Sequence, residues 1–270
     1  MEKHKMNRRK IISILTIILL LGANVVAQDK TILFVLSAAD TLALNDGNKL
    51  RQTGVFLNEF YLAYEAVSKA GYAVDFATPN GIVATIDNES VDEKYWKGFL
   101  TAKTEAVSFV KTDSAFNNPR TLEQALENKS KYVGMVIPGG QGLMVDLMND
   151  KNIRVLLKYF AEAKKPTGLI CHAPSLILTI PKEGNPYIGF KVTSVSPSEE
   201  IVIEKFIMKG RPQNRKIARQ LRKSGLNYKQ GLPKANHAVR DRNLVTSQNP
   251  FSSSAFNKLY LKALADYLTH

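Results

Sequence analysis

The chain has 270 residues, 44% of them hydrophobic, 9% aromatic and 23% charged, a balance that excludes a disordered or fibrous protein and supplies enough apolar side chains for a sizeable core. Its single cysteine, Cys171, excludes an intramolecular disulfide, a Cys-rich zinc site and an iron–sulfur cluster, each of which needs several thiolates from one chain. Net charge is +13, and without the first 27 residues 32 Lys and Arg still face 23 Asp and Glu, a balance of +9.

The chain begins with basic Lys3, Lys5, Arg8, Arg9 and Lys10, continues through the apolar run IISILTIILLLGA and reaches Val25 and Ala27, small residues of the kind a signal peptidase accepts. Residues 1–27 therefore read as a signal peptide and residues 28–270 as one exported domain, periplasmic or secreted. The alternative, an uncleaved anchor, is disfavoured because the apolar run is shorter than the roughly 20 residues that span a bilayer and Asn24 interrupts it. No stable membrane insertion is expected once the leader is removed, and export argues against nucleic acid as a partner.

The mature chain alternates short apolar runs with helical patterns. Residues 31–37 predict a buried strand, 55–69 a helix, 73–77 a strand closed by Pro79-Asn80-Gly81, and 132–137 a strand closed by Pro138-Gly139-Gly140. Further on come a helix near 151–163, a strand at 167–170, a helix from about His172, strands near 191–195 and 243–246, and a closing helix near 252–268. This alternation implies an α/β fold with a mostly parallel sheet and helices on both faces, in which ligands collect beyond the carboxyl ends of the strands. Residues 82–131, polar and weakly periodic, read as an insertion or cap over one end. The basic stretch 205–223 reads as a surface helix capped by Asn214, with Ile217, Ala218 and Leu221 inward.

Cys171 follows a predicted strand and precedes His172-Ala173-Pro174, a proline position suited to the first turn of a helix. There a helix dipole would stabilise the thiolate and make a nucleophile; the alternative is a buried cysteine packing as a small hydrophobe. Glu59 lies on the stripe of Phe56, Phe60, Ala63, Tyr64 and Val67, so it faces the core and holds a proton near neutral pH, or else reaches water past the aromatics. The Gly139-Gly140 pair could place a backbone N–H in an oxyanion hole shared with the His172 amide, or form a plain turn. His172 could orient or deprotonate Cys171, and the Glu199-Glu200 pair could return a carboxylate to His172 or start a solvated helix. His237 reads as a solvated loop residue, and the scattered histidines give no zinc site.

These residues in this order resemble the PfpI superfamily with the class I glutamine amidotransferase-like, flavodoxin-like fold, most closely its glyoxalase III and heat-shock chaperone branch, related to the parkinsonism-associated deglycase. The segments that carry the resemblance are TGVFLNEF, AGYAVDFATPNG, VGMVIPGGQG, GLICHAPSLIL, KVTSVSPSEE and NLVTSQNPFSS. It implies a nucleophile at Cys171, its adjacent histidine at His172, a buried glutamate at Glu59, oxyanion glycines at Gly139 and Gly140, and a third triad member at Glu200. Ala173 and Gln141 stand where many members have glycine and histidine. The implied activity is conversion of methylglyoxal or a similar 2-oxoaldehyde to a 2-hydroxy acid through a cysteine hemithioacetal, with neither cofactor nor metal, in a homodimer. The alternatives within the resemblance are a deglycase or hydrolase using the same cysteine, and a non-enzymatic holdase chaperone or cysteine redox sensor.

Overall fold

The run Thr31–Val35, buried at every residue, forms β1 at the heart of a seven-stranded sheet, where a continuous apolar run with strands on either side belongs. The computed structural model describes residues 30–269, so the leader and its cleavage site lie outside the described residues. A hairpin comes next, β2 Thr41–Leu44 against β3 Lys49–Gln52, and then α1, Leu57–Lys69. The aromatic and aliphatic stripe of α1 packs into the core beside β4, Ala73–Thr78.

Residues 82–131 are built into that core. The Trp96 side chain is wholly buried and its indole N–H donates to Ser90 O at 2.8 Å. Helix α2, Leu100–Thr112, packs on α1; Arg120–Thr121 forms β5 at the sheet edge; and α3, Leu122–Glu127, buries Leu122 and Ala125. The polarity of the stretch reflects helices that bury only a narrow face: α2 buries Ala102 and Ala106 alone. Its beginning leans toward the carboxyl ends of the strands, where Glu89 and Tyr95 meet the cavity in front of Cys171.

Next come β6, Tyr132–Ile137, then α4, Lys151–Glu162, and β7, Thr167–Ile170. Beyond β7 lie β8, Lys191–Val192; α5, Pro197–Val202, which runs into a π-helical turn at Ile203–Ile207; α6, Ile217–Lys223; and β9, Asn227–Tyr228. The chain closes with β10, Ala238–Asp241, β11, Leu244–Ser247, and α7, Ser253–Leu268. The sheet order is β10-β11-β7-β6-β1-β4-β5, and β10 alone runs antiparallel. The expected strand near 191–195 is only two residues long and pairs with β9 outside the main sheet.

The basic stretch is helical only over α6, with Ile217, Ala218 and Leu221 inward as its pattern indicates. Asn214 does not cap it. Its side-chain amide donates to Met144 O at 3.2 Å, and the cap position belongs to Lys216 in left-handed backbone, φ 58°. His237 is half-buried rather than solvated, with its ring packed over Gly231. No helix among the described residues is long and apolar enough to cross a membrane.

Candidate active site

The strand β7 ends at Ile170, and Cys171 turns the chain in left-handed backbone, φ 57°, a conformation costing roughly 1–2 kcal/mol outside glycine. The turn is pinned on both sides. Cys171 N–H donates to Ser247 O at 2.8 Å, and Cys171 O accepts Val195 N–H at 2.9 Å. The chain then enters a 3₁₀ segment, Ala173–Thr179, not the α-helix expected from His172, so no long helix dipole supports a thiolate. Burial governs instead. Cys171 is 4% exposed, and desolvation, followed by the negative charges of Glu59 and Glu199, pushes its thiol well above the ordinary value.

Glu59 comes from the first turn of α1 and is 1% exposed. Burial raises its pKa to about 8, against the smaller downward pull of Cys171 and of the Gly139 N–H, which donates to Oε2 at 3.0 Å. Gly139 is the gap through which acid and thiol approach. A Cβ there would stand 2.5 Å from Glu59 Oε2 and 2.8 Å from the Cys171 Cβ. Its N–H is therefore committed to Glu59 and does not serve an oxyanion. Gly140, at φ 106°, keeps a free N–H among the described residues, and a side chain there would strike the Gly54 carbonyl. Of the glycine pair, Gly140 is thus the one whose N–H is left open to a ligand, and the His172 amide lowers the thiol's pKa through a backbone hydrogen bond.

His172 is buried, and burial drops its pKa to about 4, so the ring is neutral near pH 7. Nδ1 lies 3.2 Å from Cys171 Sγ, and Nε2 lies 2.9 Å from the Gln141 side-chain nitrogen. With the Gln141 amide donating to Nε2, the ring proton sits on Nδ1 and points at the sulfur, so His172 supports a sulfur anion.

Glu200 does not reach His172. Its Oε1 accepts the N–H groups of Lys216 at 2.6 Å and Ile217 at 3.4 Å and so caps α6. The adjacent Glu199 turns into the site, accepting from Ser196 N–H at 3.0 Å, Ser196 Oγ at 2.6 Å, Gln248 at 3.0 Å, Asn249 at 2.9 Å and Lys234 N–H at 2.8 Å. Cys171, Glu59, His172, Gly139 and Gly140 thus converge, and Glu200 stands apart. Gln141 and Glu199 were missed as site residues. Gln141 took the place of a histidine expected from the resemblance, and the Glu199-Glu200 pair gave no sign of which member turns inward.

Cys171 and His172 open on a cavity of about 190 Å³ that Phe56, Tyr95, Val195, Ile203 and Phe251 also line. Among the described residues no group of three or more His, Cys, Asp or Glu side chains converges as a metal site.

A strained cysteine turn at the carboxyl end of a mostly parallel sheet, with a carboxyl from the first helix set against it, places the molecule among α/β proteins that carry their candidate site beyond the strand ends. Residues 52–263 match the DJ-1/PfpI family, and the chain belongs to it. The protein/nucleic acid deglycase HchA of Escherichia coli O1:K1 / APEC is 24% identical over 233 residues, spanning 84% of this chain and 78% of that protein. The crystal structure of glyoxalase III from Candida albicans superposes with a TM-score of 0.72 at 23% identity, covering 87% of this chain and 98% of that one. The rapid encystment protein of Francisella tularensis superposes with a TM-score of 0.70 at 23% identity, covering 87% and 99%.

Proposed function

We propose that the protein is a glutathione-independent glyoxalase that turns methylglyoxal or a related 2-oxoaldehyde into a 2-hydroxy acid. The observation that carries this reading is the approach of Glu59 and Cys171 across Gly139, with the carboxyl balanced between its two protonation states near pH 8. Cys171 Sγ adds to the aldehyde carbon and the thiol proton passes to the carbonyl oxygen, giving a hemithioacetal. While that oxygen is negative, the Gly140 and His172 amides hold it, an interaction worth about 3 kcal/mol per donor lost. Glu59, as carboxylate, takes the hydrogen on C1 as a proton, giving an enediolate, and the hydroxyl proton on the C1 oxygen passes to the C2 oxygen. Glu59 returns its proton to C2, leaving a 2-hydroxy thioester on Cys171. Water cleaves the thioester, freeing the 2-hydroxy acid and regenerating the thiol.

The similarity to a protein named a deglycase favours a second activity at the same cysteine, release of a 2-hydroxy acid from an aldehyde-modified amine. Both reactions share the sulfur adduct and differ in the group that leaves. In this reading the protein is exported and acts as a homodimer.

The test is lactate formation from methylglyoxal by the purified mature protein. Wild type is expected to produce lactate, and Cys171→Ala to lose it while keeping its fold. Absence of lactate in wild type, with Cys171 oxidising readily, would move the assignment to a redox sensor or holdase.

A further inference from the structure

The cavity in front of Cys171 has walls that the 2-oxoaldehyde reaction alone does not require. One wall is a run of aromatic rings. Phe56 meets Tyr95 edge-on at 4.9 Å, and Tyr95 lies 5.9 Å from Phe251. A second wall is aliphatic: Val202, Ile203 and Ile207, where α5 runs into its π-helical turn.

The charged groups around the same cavity, the Lys234 ammonium excepted, are already engaged. Arg51 pairs with Asp87 at 3.3 Å. Glu89 accepts from Tyr95 Oη at 2.8 Å and pairs with Lys94 at 2.6 Å, and Glu199 is held by five donors, from Ser196, Gln248, Asn249 and Lys234. Lys234 is exposed to solvent. Gln141 Oε1 is a buried lining acceptor without a partner among the described residues, and it lies beside His172; along the aromatic and aliphatic walls themselves a polar substituent would enter apolar surroundings unpaired, whereas an apolar substituent displaces only water. The three-carbon methylglyoxal fills only part of the 190 Å³ available.

Resting on the glyoxalase reading, we propose that the substrate selected here is a 2-oxoaldehyde whose C2 substituent is apolar and larger than methyl, a branched-alkyl or aryl glyoxal. The aldehyde carbon sits at Sγ, and the substituent lodges between the aromatic and aliphatic walls. The bonds made and broken are those of the glyoxalase reaction itself.

The experiment compares kcat/KM for 4-methyl-2-oxopentanal and for methylglyoxal with the mature wild-type protein. The two share the same reacting carbonyls and differ by three carbons, so their ratio reads the walls alone. One methylene in an apolar pocket discriminates by roughly 10–200-fold. A preference of at least about tenfold for the branched substrate is expected, shrinking several-fold in Ile203→Ala and in Phe251→Ala. Equal or better use of methylglyoxal would overturn the proposed selectivity and leave the glyoxalase reading standing. Turnover of neither aldehyde would overturn that reading, and the selectivity with it.

Discussion

Burial of Glu59 fixes both its chemistry and its imprint on stability. In the fold the carboxyl holds its proton to about pH 8, against 4.5 for an unburied glutamate. Its contribution to stability is therefore fully present below about pH 4.5 and is lost as pH rises through about 8. His172, dropped from 6.5 to about 4, has the opposite sign: its contribution is present above about 6.5 and is lost as pH falls through about 4. The two slopes offset between about pH 4.5 and 6.5, and above that the Glu59 decline stands uncompensated. Thermal or urea unfolding across this range should show wild type losing about 2 kcal/mol relative to Glu59→Gln between pH 6.5 and 8, at about 1.4 kcal/mol per pH unit. Parallel curves for the two proteins would mean that the native carboxyl is ionised at neutral pH. At this scale the sequence was informative where a residue sat in a local pattern. Glu59 was legible from the stripe beginning at Phe56, and Cys171 from the strand and proline on either side of it. Gln141 was not, because its partner His172 is 31 residues away and only the fold brings them together.

Among the elements, the runs that became β1, β6 and β7 were legible because buried parallel strands are largely apolar, β4 because its short AVDFA run is closed by Pro79-Asn80-Gly81, and α1 because its apolar residues recur with helical spacing. Short elements were harder. A 3₁₀ segment after His172 and a helix carry the same proline signal, and β10, half-buried along its length, shows no apolar run. The Glu199-Glu200 pair opens α5, where successive side chains point about 100° apart, so only the orientation of that short helix decides which one faces the site. The structure gives Glu199 to the site and Glu200 to the amino end of α6. Glu200→Ala should accordingly destabilise the fold by about 1 kcal/mol, the usual worth of a helix cap, and leave kcat within a few-fold of wild type. A loss near 100-fold in kcat at unchanged stability would restore Glu200 to a triad with His172. In α6, Arg219 and Lys223 are exposed and Arg222 stacks over Tyr228, while Arg215, just ahead of the helix, pairs with Glu204. The basic stretch thus divides into solvated charges and charges that fasten α6 to its neighbours.

Across the whole molecule, one buried cluster draws on β1, α1, α2, β6, β7 and α7, with a small satellite of Leu42, Leu44 and Met208 that ties the β2–β3 hairpin to the segment after α5. Both the hairpin, through Arg51, and that segment, through Ile203 and Ile207, reach the cavity, so the access side of the site is assembled from parts distant in sequence. That assembly was not legible in residues 41–52, whose polar composition gives only a hairpin's worth of alternation. The leader belongs to this scale as well. Cleavage after Ala27 would expose Gln28 as the first residue, and the intact mass of exported protein should match residues 28–270; a mature chain retaining the apolar run would indicate an anchor. The proposed reaction depends on Cys171 and Glu59 acting in sequence on one substrate. The most direct measurement is methylglyoxal turnover by Glu59→Gln alongside intact-mass detection of the aldehyde on Cys171. The variant keeps the side chain's size but cannot exchange the substrate proton, so the sulfur adduct should form while turnover falls at least about 100-fold. Turnover near the wild-type rate in Glu59→Gln would contradict the proton transfer assigned to that carboxyl.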